Sequence, residues 1–198
     1  MKSNEKGRSM IEMLGVLAII GVLSVGGIIG YSKAMMTMKI NKQIQQISEI
    51  VTNTKTMFMN QGNYIGLNDV KKLVVPEDMI DDNGNIKTIF GGLFELFAVA
   101  DNNDSFDYDE FVIRYYNWPK EVCIEILTKD WSTVSTDIVG IGMNESTLED
   151  AYGCVEYFKS GDCITACTNG EDVPLPITPA QAAAVCRSVS NDFIIKFR

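Results

Sequence analysis

The first third of the chain carries two successive hydrophobic patterns: an uninterrupted apolar run and then a stripe with helical spacing. From Met13 to Tyr31, 19 consecutive residues lack a charge, and such a run is apolar on every face of a helix. A stripe of mostly apolar residues then recurs at helical spacing: Ile40, Ile44, Ile47, Val51, Thr54 and Phe58. Lys39, Lys42, Gln46 and Lys55 occupy the other faces. The patterns predict one helix from Arg8 to Asn60, apolar all round in its first half and amphipathic in its second.

The uncharged run is long enough to cross a lipid bilayer. A transmembrane helix needs about 20 mostly apolar residues, and no small-x-small cleavage site follows the run, which distinguishes it from a secretory signal peptide. Basic residues lie on both sides of it: Lys2, Lys6 and Arg8 before, and Lys33, Lys39 and Lys42 after. The first group favours a cytoplasmic N-terminus. A plain membrane anchor, a coiled-coil stalk and a buried core helix are the alternatives.

Residues 61–198 have the composition and hydrophobic patterns of a globular domain that contains both strands and helices. All five Cys and all five Pro lie in this part of the chain. Hydrophobic patterns predict strands at 89–99, 111–116, 137–143 and 193–197. One short helix is predicted with its cap near Asn117 or Trp118 and Pro119 in its first turn, and another is predicted over 180–189. The fold class is therefore α+β.

Charge and composition exclude several classes of function. The chain has no histidine, which rules out Ser-His-Asp and Cys-His catalysis and imidazole metal sites. Residues 1–60 carry +4 and residues 61–198 carry −13, which make up the −9 of the whole chain. Such an acidic domain argues against nucleic-acid binding. No motif indicates an enzyme.

One carboxylate stands out because it lies where the apolar run begins. Glu12 is followed by no basic residue one helical turn onward, and an unpaired carboxylate in lipid costs several kcal/mol. Arg8, four residues earlier, is one possible partner. A group from another chain is the other.

The segment from Lys6 to Leu14, KGRSMIEML, followed by the apolar run, resembles the cleavage and methylation segment of type IV pilins and type II secretion pseudopilins. The resemblance implies that a prepilin peptidase cuts after Gly7 on the cytoplasmic side and removes residues 1–7. It implies that the new N-terminus at Arg8 is N-methylated. It also implies that Glu12 neutralises this amine on a neighbouring subunit during assembly.

The globular part resembles the type IVb pilin domain in the order of its elements. A strand leads into Asn117-Trp118-Pro119 and a helix with Cys123, and a late Ala-rich helix with Cys186 precedes the last strand. The resemblance implies a Cys123–Cys186 disulfide. It implies a long helix, spanning residues 8–60 with its transmembrane part at about 13–31, packed on the antiparallel sheet of an acidic domain, 61–198. The C-terminal region of that domain is disulfide-linked.

The other three cysteines allow more than one pairing. Cys154 and Cys163 flank a hairpin-like segment that turns at 160–162, which favours a Cys154–Cys163 bridge. Cys154–Cys167 is the alternative, and zinc held by the three thiolates is a further one. An exported domain in an oxidising compartment favours disulfides, so we expect no metal.

Two acidic loops have oxygen-rich side chains at spacings that suit calcium. One is the turn 81–85, and the other offers Asp101, Asn103, Ser105 and Asp107. The second loop has Phe106 where a calcium-binding EF-hand needs glycine. We expect solvated loops and no cofactor, with calcium at Asp101–Asp107 as the alternative.

These observations lead to one functional expectation. The chain is a structural subunit of a type IVb-like pilus, polymerised through its N-terminal helices into a helical filament. Its partners are further copies of itself, the prepilin peptidase, the inner-membrane assembly machinery and, before assembly, membrane lipid. It spans the inner membrane once with a periplasmic globular domain and then becomes part of an extracellular filament. A minor pilin, a secretion pseudopilin and a membrane-anchored extracytoplasmic binding domain are the alternatives.

Overall fold

The structure, a computed structural model, describes residues 5–99, 108–131, 134–135, 137–143, 176–186 and 190–198. The chain forms two compact units, Met1–Lys39 and Ile40–Arg198. Helix α1 runs without a break from Glu5 to Phe58 and contributes to both. Its 54 residues confirm the single long helix that the two hydrophobic patterns predict.

The second unit is an α+β domain, as its sequence predicts. Its described elements are α2 (Leu67–Val74), a 3₁₀ turn (Glu77–Met79), β1 (Phe94–Val99), β2 (Glu110–Pro119), α3 (Lys120–Leu127), β3 (Ile138–Met143), α4 (Pro179–Val185) and β4 (Ser190–Phe197). The strands form an antiparallel sheet in the order β1-β2-β4-β3. The expectation of a long helix on an antiparallel sheet is confirmed.

Strand β2 is longer than the hydrophobic pattern indicates, and the helix after it starts later. The strand continues to Pro119, and its pairing with β4 shifts between Tyr115 and Trp118. Asn117 lies in this irregularity with φ 60°, a left-handed conformation that asparagine tolerates better than most residues. Pro119 is the N-cap of α3 rather than part of its first turn, so the predicted cap of this helix was wrong by one or two residues.

One face of the sheet packs against the second half of α1. The central residues of β2 on this face, Phe111, Ile113 and Tyr115, are fully buried. Tyr115 stacks on Trp118 with ring centroids 4.6 Å apart, and Trp118 stacks on Phe193 of β4 at 5.2 Å. This aromatic series forms the centre of the core.

The buried stripe of α1 includes polar residues that the sequence pattern placed elsewhere. Gln46 was expected on a solvent-facing side, but only 4% of it is exposed, whereas Ile44 is partly exposed. Gln43 is fully buried and donates a hydrogen bond to the Tyr115 hydroxyl at 3.2 Å. The buried stripe of α1 includes both glutamines because each has a hydrogen-bond partner. Gln43 donates to Tyr115, and Gln46 donates to the Asp78 carboxylate at 3.1 Å.

Candidate functional site

The residues of the proposed processing site lie within the first turns of α1. Gly7, Arg8 and Glu12 all belong to this continuous helix. Gly7 and Glu12 are five residues apart, which corresponds to about 7.5 Å along a helix axis. The structure therefore places them close together on one regular element.

Glu12 is exposed in an apolar environment. Its neighbours Ile11 and Met13 are 72% and 69% exposed. Within the described part of the chain, no ion pair and no hydrogen bond involves Glu12. A carboxylate on an apolar helix surface is costly once that surface leaves water.

The first half of α1 exposes a long apolar surface. Every large apolar side chain from Met10 to Tyr31 is at least half exposed, with values between 53% and 74%. Among the described residues, α1 is the helix that is long and apolar enough to span a membrane. An apolar surface of this size in one subunit marks a site that contacts lipid or another protein.

The hydroxyl groups in this half are compatible with an apolar environment. Ser24 donates to the carbonyl oxygen of Ile20 at 2.7 Å, and Ser32 donates to that of Ile28 at 2.9 Å. Hydroxyls that bond to the preceding turn need no water. The segment can therefore be buried in lipid or protein without losing these hydrogen bonds.

Two ion pairs join the second half of α1 to the globular domain. Lys42 lies 2.7 Å from an Asp78 carboxylate oxygen, and Lys55 pairs with Asp137. The hydrogen bond from Lys42 is the main reason that the pKa of Asp78 is lower than usual. Burial raises the pKa of Tyr115 above its usual value, so this phenol stays neutral.

The predicted Cys123–Cys186 disulfide is present. It joins α3 to the residue that ends α4, across a sequence separation of 63, with a Cα–Cα distance of 6.0 Å. Both cysteines are fully buried. Cys154, Cys163 and Cys167, with the alternative pairings and the zinc hypothesis, lie outside the described residues.

The structure describes one of the two loops of the calcium hypothesis. Asp101, Asn103, Ser105 and Asp107 lie outside the described residues. In the turn 81–85, one Asp81 carboxylate oxygen accepts from the amides of Asn83 at 2.9 Å and Asn85 at 2.7 Å, and the other pairs with Lys87 at 3.0 Å. These bonds close the turn. No group of side chains suited to holding a metal occurs in the described part of the chain.

Sequence reasoning missed the close contact at Gly92. An added Cβ there would overlap the carbonyl oxygen of Tyr116, and Gly92 has φ +86°. The Gly91-Gly92 pair was the available signal, since it interrupts the apolar stretch 89–99 that was predicted as a strand or a hairpin. Strand β1 instead begins at Phe94, since both glycines have positive φ.

Comparison with known proteins gives matches along most of the chain. The family model described as PilS N terminal matches residues 37–195. Two curated proteins, from Escherichia coli O111:H- and from E. coli O127:H6 (strain E2348/69 / EPEC), are each described as the major structural subunit of bundle-forming pilus. They are 27% and 26% identical to this chain over 194 residues, covering 96% of this chain and 92% of their own lengths.

Two solved structures align with most of this chain. TcpA, a type IV pilin from Vibrio cholerae El Tor biotype, aligns with a TM-score of 0.52 and 16% identity, over 81% of this chain and 99% of its own. The type IV b pilin from Salmonella typhi aligns with a TM-score of 0.48 and 14% identity, over 78% and 97% of the two chains. The first alignment supports the same fold: a long helix packed on an antiparallel sheet.

Proposed function

The chain belongs to the type IV pilin family, and we propose that it is a structural subunit of a type IVb-like pilus. In this proposal a prepilin peptidase cuts it after Gly7, and the mature subunits polymerise through their N-terminal helices. The two curated relatives are major structural subunits of a bundle-forming pilus, which supports a structural rather than a catalytic role.

The observation that carries the proposal is the environment of Glu12. A plain membrane anchor has no use for a carboxylate in its apolar part, because that charge only adds to the cost of insertion. A filament subunit does have a use for it. When cleavage after Gly7 frees the amine of Arg8, Glu12 of a neighbouring copy is the acid that neutralises it.

The exposed apolar surface between Met10 and Tyr31 suits two successive environments. Before assembly it is covered by inner-membrane lipid, with the N-terminus in the cytoplasm and the globular domain in the periplasm. After assembly it is covered by the helices of other copies. The inner-membrane assembly machinery moves the subunit from the first environment to the second, and the domain becomes part of an extracellular filament.

The test is mass spectrometry of filaments sheared from the cell surface. We expect the chain to be their bulk component, to begin at Arg8 and to carry an N-methyl group on that residue. A trace amount within filaments of another subunit would instead assign it as a minor pilin or pseudopilin. Absence from any filament would contradict the proposal.

A substitution at the cut site tests the processing step separately. We expect Gly7→Ala, or a bulkier residue, to leave the full-length chain in the membrane, since the peptidase must accommodate the residue before the cut in a confined site. Gly15→Ala is the matched control, because it also replaces a glycine of α1 but lies outside the segment that is cut. Normal removal of residues 1–7 from the Gly7 variant would refute cleavage at this position.

A further inference from the structure

The turn 81–85 contains an asparagine that is followed by a glycine. Asn83 is exposed, and Gly84 has a left-handed backbone with φ +75°. The atom that an added Cβ at Gly84 would meet is the Lys72 ammonium nitrogen, at 3.5 Å. No side chain therefore shields the Gly84 nitrogen from the neighbouring Asn83 amide group. The chain's other Asn-Gly pair, at 169–170, lies outside the described residues.

We infer that Asn83 is a modification site, at which the side-chain amide is lost through a cyclic imide. The Gly84 nitrogen gives up its proton to base in the solvent and attacks the side-chain carbonyl carbon of Asn83. A new carbon–nitrogen bond closes the ring, and the side-chain nitrogen leaves as ammonia after it takes a proton from water. Water then adds to either carbonyl carbon of the imide and breaks one of its carbon–nitrogen bonds. The product is aspartate, or isoaspartate if the backbone now runs through the side-chain carbon.

The folded turn slows this reaction without preventing it. The Gly84 amide donates to the Asp81 carbonyl oxygen at 2.8 Å, and this bond holds the proton that has to leave. The Asp81 carboxylate accepts from the Asn83 amide at 2.9 Å, and a negative charge so close disfavours the anion that the Gly84 nitrogen becomes. The Lys72 ammonium on the other side offsets that effect in part. We therefore expect slower modification in the folded chain than in the unfolded chain.

Isoaspartate at position 83 would disturb the closure of the turn. The Asp81 amide donates to the Asn85 carbonyl oxygen at 2.9 Å, which joins the two ends of the turn. Isoaspartate inserts one more backbone carbon between these residues, so the hydrogen bond loses its geometry. The new carboxylate also lies near that of Asp81, and like charges repel each other. Modification thus loosens the turn and adds a negative charge to the surface of the domain.

The test is ageing of the purified full-length chain in detergent at mildly alkaline pH, followed by peptide mapping with mass spectrometry. Labelling by an isoaspartate-specific methyltransferase identifies the rearranged product. Asn68 and Asn85 are exposed asparagines for comparison, and they are followed by Asp69 and Ile86, whose side chains hinder ring closure. We expect Asn83 to react about tenfold faster than either, or more, which corresponds to about 1.4 kcal/mol in the barrier.

Two variants separate ring closure from simple exposure. Gly84→Ala puts a methyl group beside the attacking nitrogen and should slow the loss of the Asn83 amide about tenfold, although a left-handed alanine strains the turn. Asp81→Ala removes the carboxylate that closes the turn and should speed it up about fivefold, the change expected for about 1 kcal/mol. Gly62→Ala is the matched control, because Gly62 is also left-handed and open, and it should leave the rate at Asn83 unchanged.

Each measurement has an outcome that contradicts the inference. Equal rates at Asn83 and at the two comparison asparagines would overturn it, and so would a rate that Gly84→Ala leaves unchanged, since the amide would then be lost without a cyclic imide. Slower reaction in Asp81→Ala than in wild type would overturn the restraint by the turn. Hydrogen exchange of the peptide 79–87 should be faster in the aged chain, and unchanged exchange would contradict the loosening. No outcome depends on filament assembly.

Discussion

At the scale of single residues, the absence of a side chain at Gly92 determines how closely its backbone can approach β2. We expect Gly92→Ala to destabilise the domain by about 3 kcal/mol or more. The added methyl group would overlap the Tyr116 carbonyl oxygen, and backbone has to move to relieve the clash. Thermal unfolding of the purified chain in detergent, followed by circular dichroism, measures the loss.

The neighbouring glycine is the matched control. Gly91 also has a positive φ, +76°, but an added Cβ there meets no atom within 4 Å. Gly91→Ala should therefore cost about 1 kcal/mol, the strain of a left-handed alanine alone. Equal destabilisation by the two variants would show that the conformation, and not the contact with Tyr116, determines the effect.

The carboxylate of Asp81 makes the stability of the folded domain depend on pH. Hydrogen bonds from the Asn85 amide, followed by that from Lys87, lower the pKa of Asp81 from its ordinary value of 3.8 to about 2. Because the pKa is lower in the folded state, the charged form contributes stability above pH 3.8, and this contribution is lost as the pH falls towards 2. We expect the wild-type melting temperature to fall across this range more than that of Asp81→Asn. Parallel curves for the two proteins would contradict the assignment.

At the scale of elements, the Cys123–Cys186 bridge fixes α3 to the end of α4. Closing a loop of 63 residues stabilises a fold by about 4 kcal/mol in the chain-entropy model. The double variant Cys123→Ser/Cys186→Ser should therefore melt about 10 °C lower than wild type. Cys167→Ser is the control and should change the melting temperature less. An equal or larger loss from Cys167→Ser would mean that this bridge is not the main stabilising one.

Helix α1 shows how far the hydrophobic pattern predicts the fold. The uncharged run and the apolar stripe after it together cover most of the helix, so its extent was predictable to within a few residues. The burial of Gln43 and Gln46 was not predictable, because it depends on a phenol in β2 and a carboxylate in the 3₁₀ turn. The bulge at Asn117 escaped prediction for a related reason: it arises from the register between β2 and β4.

In the candidate site, the spacing of the residues along the helix was predictable from the sequence, whereas the partner of Glu12 was not. The spacing of Gly7 and Glu12 is local, so the sequence shows it directly. The partner of Glu12 is not local: if another copy provides it, a single chain does not contain it.

At the scale of the whole molecule, the distribution of charge limits where the free energy of assembly can come from. Residues 61–198 carry −13 and residues 1–60 carry +4. Bringing many acidic domains together is opposed by their mutual repulsion, which salt screens only in part. The exposed apolar half of α1 is therefore the expected source of the free energy of assembly. We expect the charge at Glu12 to control the register between the helices of neighbouring copies.

This role of Glu12 leads to a prediction about filament growth. Glu12→Ala should leave membrane insertion, cleavage after Gly7 and the globular fold intact, since the residue touches none of the described core. Filament yield should fall sharply, because a buried amine left without its carboxylate costs about 3–5 kcal/mol. Sheared filaments measured against membrane-bound subunit give the yield. Glu12→Gln should give an intermediate yield, because its amide accepts a hydrogen bond but carries no charge.

Substitution of Arg8 separates pairing between subunits from pairing within one helix. If the Arg8 side chain neutralised Glu12 of the same copy, Arg8→Ala would be as damaging as Glu12→Ala. If the N-terminal amine of another copy is the partner, Arg8→Ala is milder, because the amine remains after the side chain is removed. Pairing within one helix therefore predicts equal filament yields for Arg8→Ala and Glu12→Ala, whereas pairing between subunits predicts a higher yield for Arg8→Ala. Normal filaments from Glu12→Ala would refute both mechanisms, because each of them makes the charge of Glu12 necessary for filament growth.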